Sequence, residues 1–536
     1  MGVDVLISDK IPEAYTRLMQ RVNKKGKFEE YTKPEMWVDD ENLQLQGFQK
    51  DAVEILLRRK KFCILDEMGL GKTPQALAVA VKSMEEGYNR TLVICFSSLC
   101  YQWKEEILKF TKYDEDDIII LGEYNIKCKI DSEIEYDGRK KVCRDCKYNE
   151  DCSKYKNNVD KLRRFQLLRC KEKPFLIMNY AMLRKYRDQI KKGGFDICIL
   201  DEASKTKNYN TAMTKAMKSI AKDMNYEDIF IPLSGTLVEN KVEEFYPVFN
   251  MIDPAIFGTW TNFKNQFLTV DMFNRVTGYR NEGKLKEIVN RFFIRRTVDM
   301  VWEDRPELYE INRYCVMTPI QRQIYNEVAN NKAENLRGNL DKKINKAQLV
   351  ALIQYLIMVS DTVETVKKLG KYKSVDYSAK LDMLINMMTD EIDSKVVIFS
   401  RYATKVIPII MKELKKNGIG AVKITGGLNK KQCKKNQMKF KNKEKIKCLV
   451  CSDKMSYGAN LQFAKYLVNF DLPWNPAVID QRIARVYRKG QKDNVTVINL
   501  ISKDSVDDGL ILPKIYEKRD MFDKFIGAGI KPKRKS

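Results

Sequence analysis

Residues 62–81 read FCILDEMGLGKTPQALAVAV, and the order of residue types in this stretch decides the fold. The apolar run Phe62–Leu65 has strand length. Asp66–Thr73 (DEMGLGKT) interrupts it with two glycines, and from Pro74 onward alanine, leucine and valine recur as in a buried helix. Strand, glycine-rich turn and helix in that order form a phosphate-binding loop in its required context. Gly69 and Gly71 let backbone N–H groups turn toward phosphate oxygens. Lys72 is placed to reach the β- and γ-phosphates, and Thr73 to hold Mg²⁺. The following helix points its positive end at the same anion. Asp66, Glu67, Met68, Gly69, Leu70, Gly71, Lys72 and Thr73 are thus the expected nucleotide contacts. Asp66 stands where the general pattern has glycine.

Outward from this loop, short apolar runs alternate with helical patterns. In the first half they are Phe62–Leu65, Leu92–Phe96, Phe175–Met178, Ile197–Leu200 and Ile229–Leu233. In the second half they are Val396–Phe399, Ala421–Ile424, Cys448–Cys451, Tyr466–Phe470 and Val495–Leu500. Buried runs alternating with helices predict parallel sheets of βαβ units. The fold class is therefore α/β, with two similar parallel-sheet lobes. The expected divisions are an N-terminal extension over 1–40, lobe 1 over 41–252 and a helical, basic bridge over 253–377. Lobe 2 follows over 378–504, and a brace with a disordered basic tail over 505–536. A charged, cysteine-rich insert over 123–160 interrupts lobe 1.

Composition narrows the chemistry. Lys plus Arg is 97 against 72 for Asp plus Glu, a formal net charge of +25, which favours a polyanionic partner. There are no histidines, so His general bases, His metal ligands and Ser-His or Cys-His pairs are excluded. The 13 cysteines fall mostly in apolar runs, as expected of a reduced cytoplasmic protein. No apolar window has the length of a membrane span, and the start MGVDVLISDK lacks the features of a secretory signal.

Two further segments complete a hydrolytic site. The run Phe195–Leu200 ends in DEAS, Asp201–Ser204, where an α/β sheet places catalytic groups. Asp201 is expected to bind Mg²⁺ through water, and Glu202 to orient and deprotonate the attacking water. Far downstream lies DQRIARVYRKGQ, Asp480–Gln491, with Asn475-Pro476 as a helix start and Gly490 as a stop. Ile479, Ile483 and Val486 share one side, and Gln481, Arg482, Arg485 and Arg488 the other. Arginines at an inter-lobe cleft stabilise charge developing on a γ-phosphate, and Arg485 and Arg488 are the expected catalytic pair. Coming from the other lobe, they would act only on closure, linking hydrolysis to movement.

These motifs, in this order, resemble the Swi/Snf-type ATPases of helicase superfamily two from about Leu43 to Gly527. LQGFQ, Leu45–Gln49, resembles the adenine-sensing motif, with Gln49 in the key place. DEMGLGKT is similar to the family's own phosphate loop, which accounts for Asp66. LVICFSSLCYQWKEEILKF, MNYAML, DEASKTKN and LSGTLVEN resemble the motifs of lobe 1. In the bridge, FFIRRTVDMV resembles the family's pre-bridge signature and MTPIQRQIYNEV the segment after it. VVIFSRY, CSDKMSYGANLQFAKYLVNFDLPWNP and QRIARVYRKGQ resemble those of lobe 2. There are departures: Phe96 replaces a usual proline, Ser204 a usual histidine, and Ser456-Tyr457-Gly458 a more glycine-rich turn. Gly458 is taken as a nucleotide contact. The resemblance implies two RecA-like lobes and DNA-stimulated ATP hydrolysis with translocation along duplex DNA, in a compact bacterial or phage member. It also implies sequence-independent backbone contacts by Ser98, Asn179, Lys205, Lys207, Arg401, Ser452 and Trp474. A strand-separating helicase and a non-hydrolysing DNA-binding scaffold are the alternatives.

Within the insert, Cys128, Cys143, Cys146 and Cys152 are spaced C-x14-C-x2-C-x5-C in a polar setting that does not bury thiols. Four thiolates fit a tetrahedral Zn²⁺ and equally a [4Fe–4S] cluster. Unligated cysteines are the third possibility.

Overall fold

The computed structural model describes residues 31–121, 126–127, 135–136, 173–238, 241–302, 304–337, 346–365, 378–428, 430–453, 461–488, 490–526 and 533–534. The chain divides into two compact units. One comprises Met1–Glu67 and Gly71–Arg296, the other Met68–Leu70 and Thr297–Ser536.

The first unit is built on a seven-stranded, wholly parallel sheet. Its strands are β1 (Cys63–Ile64), β2 (Thr91–Cys95), β3 (Ile118–Ile120), β4 (Phe175–Asn179), β5 (Ile197–Asp201), β6 (Ile229–Leu233) and β7 (Phe293–Ile294). Their order is β7-β1-β6-β5-β2-β4-β3. Helices α1 (Gly47–Arg59), α2 (Lys72–Glu85), α3 (Cys100–Phe110), α4 (Tyr180–Lys191), α5 (Ala212–Asp223) and α6 (Phe245–Ile252) accompany it. The central strands are buried along their whole length, as TLVIC in β2 and IFIPL in β6 are, so they read as continuous apolar runs. The small residues of α2, Ala76, Ala78 and Ala80, are fully buried in the same core.

The second unit has another seven-stranded parallel sheet. Its strands are β8 (Leu308–Cys315), β9 (Val396–Phe399), β10 (Gly420–Ile424), β11 (Ile446–Cys451), β12 (Tyr466–Asn469), β13 (Val495–Ser502) and β14 (Lys533–Arg534). Their order is β10-β11-β9-β12-β13-β8-β14. The helices are α7 (Pro319–Arg337), α8 (Lys346–Asp361), α9 (Ala379–Asn386), α10 (Ile407–Lys416), α11 (Lys430–Asn442), α12 (Pro476–Val486) and α13 (Leu512–Ile526).

All ten apolar runs named from the sequence are strands, within two residues at each end. The stretch read as a helical bridge holds more than helices. Leu268–Val270 and Val276–Tyr279 form an antiparallel hairpin, β7 joins the first sheet, and β8 joins the second. β8 was overlooked because LYEINRYC mixes polar with apolar residues. It lies one strand in from the sheet edge and is only partly buried. The tail also differs from its reading, since Lys533 and Arg534 pair in parallel with Tyr309 and Glu310. Among the described residues, no helix is long and apolar enough to cross a membrane.

Candidate active site

β1 and β5 flank β6, so the loop after β1 and the acidic pair after β5 emerge on the same carboxyl-terminal edge of the first sheet. Gly71 is the N-cap of α2, in the left-handed region at φ 74°. The conformation favours glycine, and a Cβ there would lie 2.5 Å from Nε2 of Gln49 and displace that amide. That approach also sets Gln49 against the loop. Gln49 Oε1 accepts from Gln46 N (3.0 Å), closing the capping box of α1. Lys72 and Thr73 open α2. The Lys72 ammonium donates to the carbonyls of Asp66 (2.7 Å) and Glu67 (3.1 Å). Burial lowers its pKa, against the opposing pull of Asp66, Glu202 and Asp201.

Asp66 is fully buried. One oxygen of its carboxylate accepts from the backbone N–H and Nε of Arg296 (both 2.9 Å). The other accepts from Arg296 (2.5 Å) and from Gln75 Nε2 (3.0 Å). The guanidinium also reaches Gln75 Oε1 (2.7 Å) and the Phe48 carbonyl. The side chain that marks this form of the loop therefore fastens it to the β7 segment. Arg295 holds the Leu65 carbonyl (2.9 Å) and lies 3.8 Å from the Glu67 carboxylate.

Three uncharged donors surround the acidic pair. The Trp103 indole N–H donates to Asp201 Oδ2 (2.8 Å). The Tyr180 hydroxyl donates to the carbonyls of Asp201 (2.6 Å) and Glu202 (3.2 Å). The Ser204 hydroxyl donates to Glu202 Oε1 (3.1 Å). All three donors are buried. Burial raises the Asp201 pKa, opposed by the Trp103 hydrogen bond and Lys72. Glu202 has left-handed backbone (φ 57°), a conformation costing roughly 1–3 kcal/mol that persists where surroundings over-determine it. Here Tyr180 and the Lys205 N–H, which donates to the Glu202 carbonyl (3.0 Å), do so. The sequence reading missed Trp103, Tyr180 and Arg296 in these roles. A tryptophan within the polar run YQWKEE was the available signal.

The other residues expected at DNA in this unit lie close to the same edge. Ser98 is half-buried in the turn after β2. Asn179 caps α4, accepting from Ala181 N (3.1 Å). Lys205 is exposed, with Nζ 4.9 Å from the centre of the Phe96 ring, and that ring meets Tyr180 edge-on at 6.0 Å. Phe96, at the usual proline position, thus has two partners of its own. Lys207 lies 4.0 Å from Glu244.

In the second unit, α12 starts as expected: Pro476 follows the cap Asn475, which accepts from Ala477 N (3.0 Å). It ends at Val486, before the expected stop, because Tyr487 turns to extended backbone. The Tyr487 hydroxyl donates to the Pro306 carbonyl (2.7 Å), and its ring lies 5.7 Å from that of Trp302. Arg488 therefore lies beyond the helix, half-buried like Arg485 on it. Arg482, placed by periodicity on the polar side, is 2% exposed. It donates to Asp453 (2.7 Å), Asn469 Oδ1 (2.8 Å) and the Asp471 carbonyl (3.0 Å), so it ties strand ends together. Asn469 donates to Asn499 (2.8 Å), Asn499 to Glu310 (2.9 Å), and Arg519 bridges Glu310 (3.1 Å) to Asp480 (3.3 Å). The Arg401 backbone N–H donates to Asp471 (3.0 Å). Ser452 is buried after β11, and the Trp474 carbonyl accepts from Lys518 (2.8 Å). Gly458, Cys128, Cys143, Cys146 and Cys152 lie outside the described residues.

Comparison with known proteins bears on both units. The model of the SNF2-related domain matches residues 48–363, and that of the helicase conserved C-terminal domain matches 379–490. The uncharacterized ATP-dependent helicase YqhH of Bacillus subtilis is 25% identical over 87% of this chain and 76% of its own length. The DNA repair and recombination protein RAD54 of Saccharomyces cerevisiae is 25% identical over 86% of this chain but only 52% of its own length. A Sulfolobus solfataricus SWI2/SNF2 ATPase core solved with duplex DNA is 24% identical, covering 91% of this chain and 98% of that one, at a TM-score of 0.39. With most of its first unit and the start of its second matched by one family model, the chain belongs to the SNF2-related family and carries a helicase conserved C-terminal domain behind it.

Proposed function

We propose that this protein is a DNA-dependent ATPase that couples hydrolysis to translocation on duplex DNA, remodelling DNA structures or displacing bound proteins. The observation that carries this reading is the pairing of Lys72 with the Asp201–Glu202 turn on one sheet edge, in a chain of the SNF2-related family. Lys72 is the residue for the β- and γ-phosphates, and Gln49 lies beside the loop as the adenine contact. Ser204 holds Glu202 through one carboxylate oxygen, and that carboxylate is the proposed acceptor for the proton of the attacking water. Arg485 and Arg488 are the proposed cations for charge developing on the γ-phosphate. The donor set suits Mg²⁺: a hydroxyl, Thr73, and a carboxylate, Asp201, with one oxygen already taken by Trp103. When bound, the ion neutralises phosphate charge.

Ser98, Asn179, Lys205, Lys207, Arg401, Ser452 and Trp474 are proposed DNA contacts, with the phosphate backbone as their target. The domain divisions at 41, 253, 378 and 505 stand as proposals of the same kind. So do Zn²⁺ or a [4Fe–4S] cluster at Cys128, Cys143, Cys146 and Cys152, which zinc content and absorbance near 400 nm would distinguish. A cytoplasmic, bacterial or phage-host setting is also proposed. It is supported by the eight described cysteines, all buried and none in a disulfide.

The test is ATP turnover with and without duplex DNA. Lys72→Ala should lower DNA-stimulated turnover by about a hundredfold or more, as loss of a pre-organised phosphate contact does. DNA affinity should persist. Unchanged turnover in Lys72→Ala and Arg488→Ala would leave a DNA-binding scaffold instead. Separation of forked DNA by the native protein would make it a strand-separating helicase.

A further inference from the structure

Helix α11 carries lysine at 430, 431, 434, 435, 439 and 441 and no carboxylate. From Gly426 to Cys451 the only acidic residue is Glu444, while Lys443, Lys445 and Lys447 extend the run. The helix packs on β10 and β11 through buried Cys433 and Phe440, the latter 5.4 Å from the Phe463 ring. Lys431, Lys434, Lys435, Met438 and Lys441 form the opposite, exposed face, with Met438 at 55% exposure. Other surface helices of this unit mix their charges. Lys416 pairs with Glu413 (3.0 Å) on α10, and Lys514 with Glu517 (2.5 Å) on α13. On α11, lysines three and four residues apart repel one another, a cost that alternating glutamates would remove. The lysine run is therefore not what helix stability alone selects, and it suits a polyanion laid along the helix.

The topology says where that polyanion would run. α11 connects β10 to β11, so its first turn lies at the carboxyl-terminal edge of the sheet, where Arg401 and Ser452 also emerge. Its lysine face then runs away from that edge, on the side of the helix opposite its packing against β10 and β11. From Lys431 to Lys441 it extends about 15 Å at ~1.5 Å per residue. At one charge per ~3.4 Å along each strand, that matches roughly four phosphates of one strand of duplex DNA.

We propose that the exposed face of α11 is a second DNA-backbone surface, formed by Lys431, Lys434, Lys435 and Lys441, which extends the track of the motor beyond its motif residues. This rests on the reading of the chain as a DNA motor. The lysines act as point charges on phosphate, so binding is sequence-independent and strongly salt-dependent.

The experiment is duplex-DNA affinity by fluorescence anisotropy, between about 50 and about 300 mM salt. It compares the native chain with a variant carrying Lys→Gln at 431, 434, 435 and 441 and a second carrying Lys→Arg at the same places. Each lost phosphate contact flattens the slope of log K against log salt by about 0.9, so the Gln variant should be flatter by about 2 to 4. Its affinity at low salt should fall at least about tenfold. The Arg variant should match the native slope, and DNA-free ATP turnover should be unchanged in both. A Gln variant with the native slope overturns the assignment. So does one that keeps DNA affinity but loses binding to polyglutamate, which would make the face a site for acidic protein. Failure of the native chain to bind duplex DNA at all would count against the motor reading instead.

Discussion

The two sheets have the same strand number and the same all-parallel pairing, yet their carboxyl-terminal edges are used differently. In the first, the edge is a set of tight turns. Gly71 and Glu202 have positive φ, and the carboxylates of Asp201 and Glu202 are held by uncharged indole and hydroxyl groups. In the second, a network of charged and amide side chains runs from the edge into the sheet: Asp453, Arg482, Asn469, Asn499, Glu310, Arg519 and Asp480 follow one another across the strands. Neutral donors fix a carboxylate without cancelling its charge, which leaves it free for chemistry. Charged partners neutralise one another, which makes a rigid frame. One parallel α/β topology thus supports a reactive edge and a structural one, and the choice lies in the residues that follow each strand.

Three substitutions test this contrast. The largest effect is expected from Lys380→Ala. The Lys380 ammonium is fully buried between Asp361 (2.8 Å) and Asp507 (2.7 Å). Burial works against its charge, but the two carboxylates outweigh it and raise its pKa. Removing it leaves two buried carboxylates unpaired, a loss of about 3–5 kcal/mol. Hydrogen exchange should show β9 and β13 losing protection while β2 and β5 keep theirs. Equal loss in both sheets would mean that the charge frame is not confined to the second.

Next comes Asp66→Ala, which strands the Arg296 guanidinium. A cost of about 3 kcal/mol is expected, at the low end for a broken buried pair, because Arg296 retains some exposure and its Gln75 and Phe48 partners. Asp66→Asn should recover part of that stability. If thermal unfolding of the Ala variant matches the native chain, the anchor between loop and β7 carries no weight.

The smallest effect is expected at Ser204. Ser204→Ala deletes one hydrogen bond to Glu202 and should lower kcat roughly tenfold, about 1.4 kcal/mol, with KM for ATP unchanged. Ser204→Thr, which keeps the hydroxyl, should restore most of the rate. A rise in KM with kcat intact would instead place Ser204 at nucleotide binding.

Much of this was legible in the chain. The ten buried runs stood out because a strand covered on both faces must be apolar throughout, and the phosphate loop because its glycines and lysine have fixed spacing. The strands that escaped notice were of other kinds. Ile118–Ile120 is three residues behind an acidic turn, Phe293–Ile294 is two residues long, and β8 alternates like a solvated segment. Periodicity puts Arg482 on the polar side with Arg485 and Arg488, because helical spacing assigns a side, not a partner. Asp453, Asn469 and Asp471 come to it from other elements.

The sequence by itself determined the features that depend on neighbours along the chain: the strand–loop–helix unit at 62–81, the cap Asn475-Pro476, and the lysine face of α11. Each follows from local conformation or helical spacing, which act over a few residues. Only the tertiary structure decided what Asp66 is for. Its carboxylate meets Arg296 across 230 residues of chain, because β7 happens to be the neighbour of β1 in the sheet. Strand order is set by the packing of the whole core, so no local pattern announces which distant residue a buried charge will find.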